Sequence, residues 1–190
     1  MPENQIEIMA PAGNFECLMA AIQGGANSVY FGVGNLNMRS HSANNFQPED
    51  LVKITEICRE HKIKSYLTLN IVIYDSETED VRTALQAAKN AEVTAVIASD
   101  MAVIGMARQM GIEVHISTQL NVSNFEALKF YSQFADVVVL ARELTLPQVK
   151  EISRRIKEEK ICGPGGKLVR LEMFVHGALC MSISGKCYLS

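Results

Sequence analysis

Val93-Thr94-Ala95-Val96-Ile97-Ala98-Ser99-Asp100-Met101-Ala102-Val103-Ile104-Gly105-Met106-Ala107-Arg108-Gln109-Met110 carries the pattern on which the fold turns. Val93–Ala98 is short and mostly apolar, without the polar alternation of a half-exposed strand. That composition suits a strand in a parallel sheet covered by helices. Ser99 and Asp100 follow as a polar turn, and Met101–Met110 reads as a helix. Outward from this unit the same alternation recurs. Strands are expected at Ile6–Ala10, Val29–Val33, Ser65–Leu69, Val114–Ile116, Val137–Leu140 and Leu171–Val175. Helices are expected over Phe15–Gln23, Glu49–His61, Glu77–Asn90, Asn124–Gln133 and Pro147–Glu158. Helix starts add a second signal: Ser76 with Glu79, Ser123 with Glu126, and Thr145 with Gln148 have capping-box spacing.

Right-handed crossovers between parallel strands leave a closed barrel or an open doubly wound sheet. Polar residues just past nearly every strand favour the barrel, because a barrel gathers strand ends around one mouth. They are Asn14, Arg39, Asn70, Ser99 with Asp100, Ser117 with Thr118 and Gln119, Arg142 with Glu143, and His176. About half serve as caps and turns on this reading. Asn70 and Arg142 fit that role least, since neither is needed to start a helix. An open sheet would concentrate function at one switch point instead. The expectation is an α/β protein, a TIM-like (β/α) barrel in one domain over residues 1–190. Seven strands leave it one short of eight, and no helix follows the last cysteine-containing loop. The chain is therefore expected to be the front part of a longer protein, its barrel truncated. Gly163-Pro164-Gly165-Gly166 is the best loop or hinge candidate.

Composition narrows the class of function. Apolar residues make up 48% and charged residues 21% of 190 residues, with a net charge of −3. Nothing global favours a polyanion or an acidic membrane. No apolar run reaches the ~20 residues of a membrane helix, and Met-Pro-Glu-Asn-Gln lacks the features of a signal peptide. Cytoplasm is the expected location. Five cysteines, an odd number in such a chain, argue against a disulfide framework. Cys17 and Cys58 read as small core residues, and Cys162 falls in the glycine-rich loop.

Cys180 and Cys187 differ. Six residues separate them, with Gly177 before and Gly185 within, so the loop can take the positive φ that wrapping a metal requires. Thiolates suit zinc or an iron–sulfur cluster. Spacing alone leaves a metal site, two free thiols and a redox pair all open. His176 could serve as ligand, general base or donor to a ligand. No Gly-x-Ser-x-Gly elbow, His-Glu-x-x-His helix or P-loop is present. Phe31-Gly32-Val33-Gly34 follows a strand, but Asn37 fills the third glycine slot of a dinucleotide fingerprint. Glu77, Glu79 and Asp80 are explained by a helix dipole.

Residues 172–190 add a resemblance. Glu172-Met173-Phe174-Val175-His176-Gly177-Ala178-Leu179-Cys180, followed by Met181-Ser182-Ile183-Ser184-Gly185-Lys186-Cys187-Tyr188-Leu189-Ser190, resembles the signature of peptidase family U32. All ten specified slots of that signature are filled. Met9-Ala10-Pro11-Ala12-Gly13-Asn14, Leu67-Thr68-Leu69-Asn70, Ser117-Thr118-Gln119 and Leu140-Ala141-Arg142-Glu143-Leu144 also look like the family. The family was named for collagenase-like proteolysis. Other members hydroxylate a tRNA uridine or an rRNA cytidine, or act in ubiquinone hydroxylation, and carry a 4Fe-4S cluster on four cysteines. The resemblance implies that Cys180 and Cys187 are two of those ligands, the others lying further along. It also implies RNA or a small molecule as substrate, and a second family protein or a second copy as partner. A peptidase and a non-catalytic binding subunit are the alternatives to a hydroxylase. Position and residue type give Asn70 and Gln119 hydrogen bonding to substrate, Arg142 anion recognition, and His176 proton transfer or support of a ligand.

Overall fold

In the computed structural model, residues 6–38, 46–177 and 182–186 are described. Arg39, Cys180 and Cys187 lie outside them. Strands and helices alternate as β1 (Met9–Pro11), α1 (Phe15–Gln23), β2 (Ser28–Phe31), α2 (Leu51–Glu60), β3 (Lys64–Leu69), α3 (Thr78–Asn90), β4 (Ala95–Ala98), α4 (Met101–Gln109), β5 (Val114–Ile116), α5 (Phe125–Tyr131), β6 (Val137–Val139), α6 (Leu146–Glu158) and β7 (Arg170–Glu172). The strands follow chain order from β1 to β7 in one sheet. Pairing is parallel from β1 to β3 and from β5 to β7. This is an α/β chain with TIM-like strand order, having seven strands among the described residues against the eight of a complete barrel. No helix among them is long and apolar enough to cross a membrane.

By packing, the chain forms two compact units, residues 1–96 and 97–190. In the first, Ser28 pairs with both Met9 and Lys64. Leu18 of α1, Ile54 of α2, Leu85 of α3, Val29 of β2 and Leu67 of β3 are fully buried. In the second, Val138 of β6 pairs with Ile116 and Leu171. Ile116, Val138, Ile104 of α4 and Leu128 of α5 form its buried core. Continuous burial on short strands is the apolar pattern that the sequence displayed.

One device returns the chain from helix to strand five times. Gly25, Lys62, Glu92, Gly111 and Lys160 take left-handed φ values of 83°, 56°, 58°, 74° and 50°. After each, an N–H reaches five residues back: Ala26 to Ala21, Ile63 to Cys58, Val93 to Ala88, Ile112 to Ala107, Ile161 to Ile156. These are Schellman closures, which satisfy the last helix carbonyls while turning the chain. Glycine provides the left-handed residue at only two of these five positions, so a glycine search misses the other three.

Several boundaries move. The first strand is Met9–Pro11, and Val33 makes only an isolated bridge, with Phe46. The last strand ends at Glu172, and Met173, Phe174 and Val175 beyond it are exposed. Thr145 and Gln148 do form a reciprocal cap, with Thr145 N–H donating to Gln148 Oε1 at 2.8 Å. Ser123 does not cap α5. Asn124 does, accepting from Ala127 N–H at 2.9 Å, because burial of Phe125 sets the first turn one residue later. Ser76 likewise yields to a short 3₁₀ turn whose Glu77 accepts from Tyr74 N–H at 2.8 Å. Cys58 is buried as expected, and burial pushes its thiol up to about 11. Cys17 is exposed, since the neighbouring Leu18 takes the inward position on α1. Replacing Thr145 by Ala is expected to cost about 1 kcal/mol, read as a lower urea midpoint at unchanged slope.

Candidate functional site

The second unit brings three strand-end segments together. The chain leaves β5 through Ser117, whose hydroxyl accepts from Gln119 N–H at 3.3 Å. A 3₁₀ turn, Thr118–Leu120, then ends at Asn121 with φ 49°. Beyond β6, Ala141 N–H donates to the Val122 carbonyl at 2.9 Å, which ties this exit to the first. Arg142 and Glu143 then surface.

Residues 182–186 dock on this platform. Arg142 donates to the Ser184 hydroxyl twice, from its backbone N–H and from Nε, at 3.2 Å each. Its Nη2 donates to the Ser182 carbonyl at 3.3 Å. In return Ser184 N–H donates to Glu143 Oε1 at 2.8 Å. That backbone donor chiefly holds the Glu143 carboxyl below the usual range. Ser184 is 0% exposed, an unusual burial for a serine in a loop. Gly185 has φ 76°, and a Cβ placed there would lie 2.3 Å from the Gln119 carbonyl oxygen. Only glycine tolerates both the dihedral and the approach.

Cys180 lies two residues before this docked segment and Cys187 directly after it. Their own placement is outside the described residues, as is that of Arg39. Of the other expected site residues, the structure joins Gln119 and Arg142 through the 182–186 segment. His176 is exposed, four residues past Glu172. Asn70 belongs to the first unit, where its Oδ1 accepts from Met38 N–H at 3.2 Å. Asn14 and Asp100 are helix caps, accepting from Cys17 and Ala102 N–H at 2.7 and 2.8 Å. Phe31–Gly34 is no nucleotide cradle. The buried Asn37 side chain fills the space beside Gly32 and donates to the Gly34 carbonyl at 3.2 Å.

Sequence reasoning passed over Ser184 and a polar cluster on β5 and β7. His115, 1% exposed, sits with Nε2 3.2 Å from Glu113 Oε1 and Nδ1 3.8 Å from Glu172 Oε2. Arg170 pairs with Glu113 at 2.5 Å. A histidine inside the apolar run Val114–Ile116 was the available signal. Burial alone would lower its pKa, but the two carboxylates outweigh burial and hold it above the ordinary 6.5. Glu113 is correspondingly lowered, chiefly by its hydrogen bond to His115. A raised histidine contributes stability that is full below 6.5 and fades as pH rises through the folded value. Melting temperature should therefore fall as pH climbs above 6.5. In a His115→Asn variant that slope should flatten.

Among the described residues, no group of three or more His, Cys, Asp or Glu is placed to hold a metal. A family model, that of peptidase family U32, matches residues 13–190. A protein named collagenase from Porphyromonas gingivalis is 60% identical over the whole chain, which covers 46% of that protein. A tRNA hydroxylation protein of Bacillus subtilis is 33% identical over 97% of the chain and 42% of its own length. A 23S rRNA 5-hydroxycytidine synthase of Escherichia coli is 30% identical over 98% of the chain and 27% of its own length. The chain thus spans less than half the length of these relatives. A solved U32 peptidase structure superposes with a TM-score of 0.68 at 13% identity, over 82% of this chain and 67% of that one. At that identity the likeness concerns the fold.

Proposed function

The chain belongs to peptidase family U32, and from that membership we propose that Cys180 and Cys187 hold two corners of a 4Fe-4S cluster in an enzyme that hydroxylates an RNA base. The observation carrying this reading is the docked segment 182–186, which fixes the backbone between the two thiols to the exits of β5 and β6. Soft thiolates on a held loop fit an iron–sulfur group. Two further ligands would come from the remainder of the whole protein. When bound, the cluster supplies redox chemistry that ordinary side chains lack.

The chain's own residues then bind and orient. Arg142 places a positive charge beside the cysteine loop, suited to an RNA phosphate. Gln119 donates and accepts hydrogen bonds to the substrate. His176, exposed just beyond β7, moves a proton or supports a ligand sulfur. A tRNA uridine or an rRNA cytidine is the substrate class, in the cytoplasm, with a second family protein or second copy as partner. The two hydroxylation relatives support this choice.

Proteolysis is the second reading, supported by the relative named collagenase. It requires an activated nucleophile. Ser184 is a poor candidate, because it is buried and its oxygen already accepts twice from Arg142. The test uses the whole protein purified without air, assayed on transcripts by nucleoside mass spectrometry and on gelatin. Hydroxylated base without gelatin cleavage supports the first reading. Gelatin cleavage abolished by Cys180→Ala, with no modified base, replaces it with the second.

A further inference from the structure

The cysteine loop is held by residues that no cluster ligand set includes. Its described part makes three hydrogen bonds with Arg142 and one with Glu143. A surface loop of five residues ordinarily spends its polar groups on water. Here a serine is wholly buried in order to accept from both the backbone and the side chain of one arginine. The charge-assisted bonds are the stronger kind, and each end of the pair is met. Arg142 Nε is satisfied by Ser184 Oγ, and Glu143 Oε1 by Ser184 N–H. Gly185 then lies against the backbone of Gln119 with no room for a side chain. One loop residue is thus gripped from both sides by consecutive residues at a strand exit, and its neighbour is seated on the adjacent exit.

We propose that Arg142, Ser184 and Glu143 form a latch that holds residues 182–186 in place before any ligand arrives, making Ser184 a positioning residue for the two thiols that flank this segment in sequence. This rests on the cluster reading for its purpose but not for its existence. A loop ordered in advance loses less entropy when it binds, which raises affinity for whatever the sulfurs hold. Groups behind metal ligands commonly change metal affinity ten- to a hundredfold. Glu143 acts only as an acceptor here, so glutamine can replace it and alanine cannot.

The experiment measures amide hydrogen exchange across residues 182–186 in the whole protein after iron is stripped with a chelator. Ser184→Ala and Glu143→Ala should each speed exchange of this segment by on the order of tenfold. Glu143→Gln should stay close to wild type. Peptides from α4 and α6 should be unchanged in all three, which separates latch loss from unfolding. Unchanged exchange in both alanine variants overturns the latch, as would equal effects of Glu143→Gln and Glu143→Ala. Iron retention is read separately as the rate of loss to a chelator, and Ser184→Ala should quicken it ten- to a hundredfold. If wild-type protein never holds iron but the exchange pattern appears, the latch stands and the cluster reading fails. If iron is held and the exchange pattern is absent, the reverse follows.

Discussion

Replacing Gly185 by alanine should release the cysteine loop while leaving the rest of the fold standing. Two costs coincide at this position. The left-handed φ of 76° disfavours an L-residue by about 1–2 kcal/mol. The new Cβ would also lie 2.3 Å from the Gln119 carbonyl oxygen, a backbone atom held by its own turn. Overpacking of that kind adds roughly 1–3 kcal/mol. The segment's described attachments are the hydrogen bonds to Arg142 and Glu143, worth about 1 kcal/mol each. The four bonds together are worth about as much as the strain they would have to hold, so docked and undocked forms should become comparably populated. The expected result is loss of exchange protection over 182–186 and rapid loss of iron to a chelator, with a melting temperature close to wild type. Gly32→Ala is the informative contrast. Its nearest neighbour is the buried Asn37 side chain, whose hydrogen bonds to the Val33 and Gly34 carbonyls would be disturbed. The damage should fall there, while exchange over 182–186 stays at the wild-type rate.

The largest functional effect is expected from removing both thiols. Cys180→Ala with Cys187→Ala leaves the whole protein with half a ligand set, and a 4Fe-4S cluster is held through four thiolates. Iron should fall to background and base hydroxylation by more than about a hundredfold. Melting temperature, measured alongside, should stay close to wild type. Retention of full iron in the double variant would show that the cluster, if present, is held elsewhere.

How far the sequence could be read depended on the kind of interaction. Apolar runs such as Val93–Ala98 reported buried parallel strands directly, since burial on both faces acts on composition. The ends of the strands were less legible. Val33 leaves β2 to bridge to Phe46, a pairing set by a loop that periodicity does not describe. Caps were legible where the side chains reciprocate, as with Thr145 and Gln148, and shifted by one residue where burial of Phe125 decided the start. Lys62, Glu92 and Lys160 show why helix ends were blurred, because their left-handed turns carry no glycine.

The site divided along the same line. Arg142 stood out as a strand-end residue not needed for capping, and the structure gives it a partner in the cysteine loop. Ser184 did not stand out, because a serine before a glycine reads as a turn. Only a contact 42 residues away reveals its burial. Glu172 was noticed as part of a motif, yet its approach to His115 crosses strands and has no local sequence sign.

Counting iron and acid-labile sulfide in the whole protein purified without air tests most directly whether Cys180 and Cys187 hold a cluster. Roughly four of each per chain, lost on Cys180→Ala or Cys187→Ala, is the result expected of thiolates shared with a 4Fe-4S cluster. A colourless preparation free of iron, with both thiols open to alkylation, would contradict it.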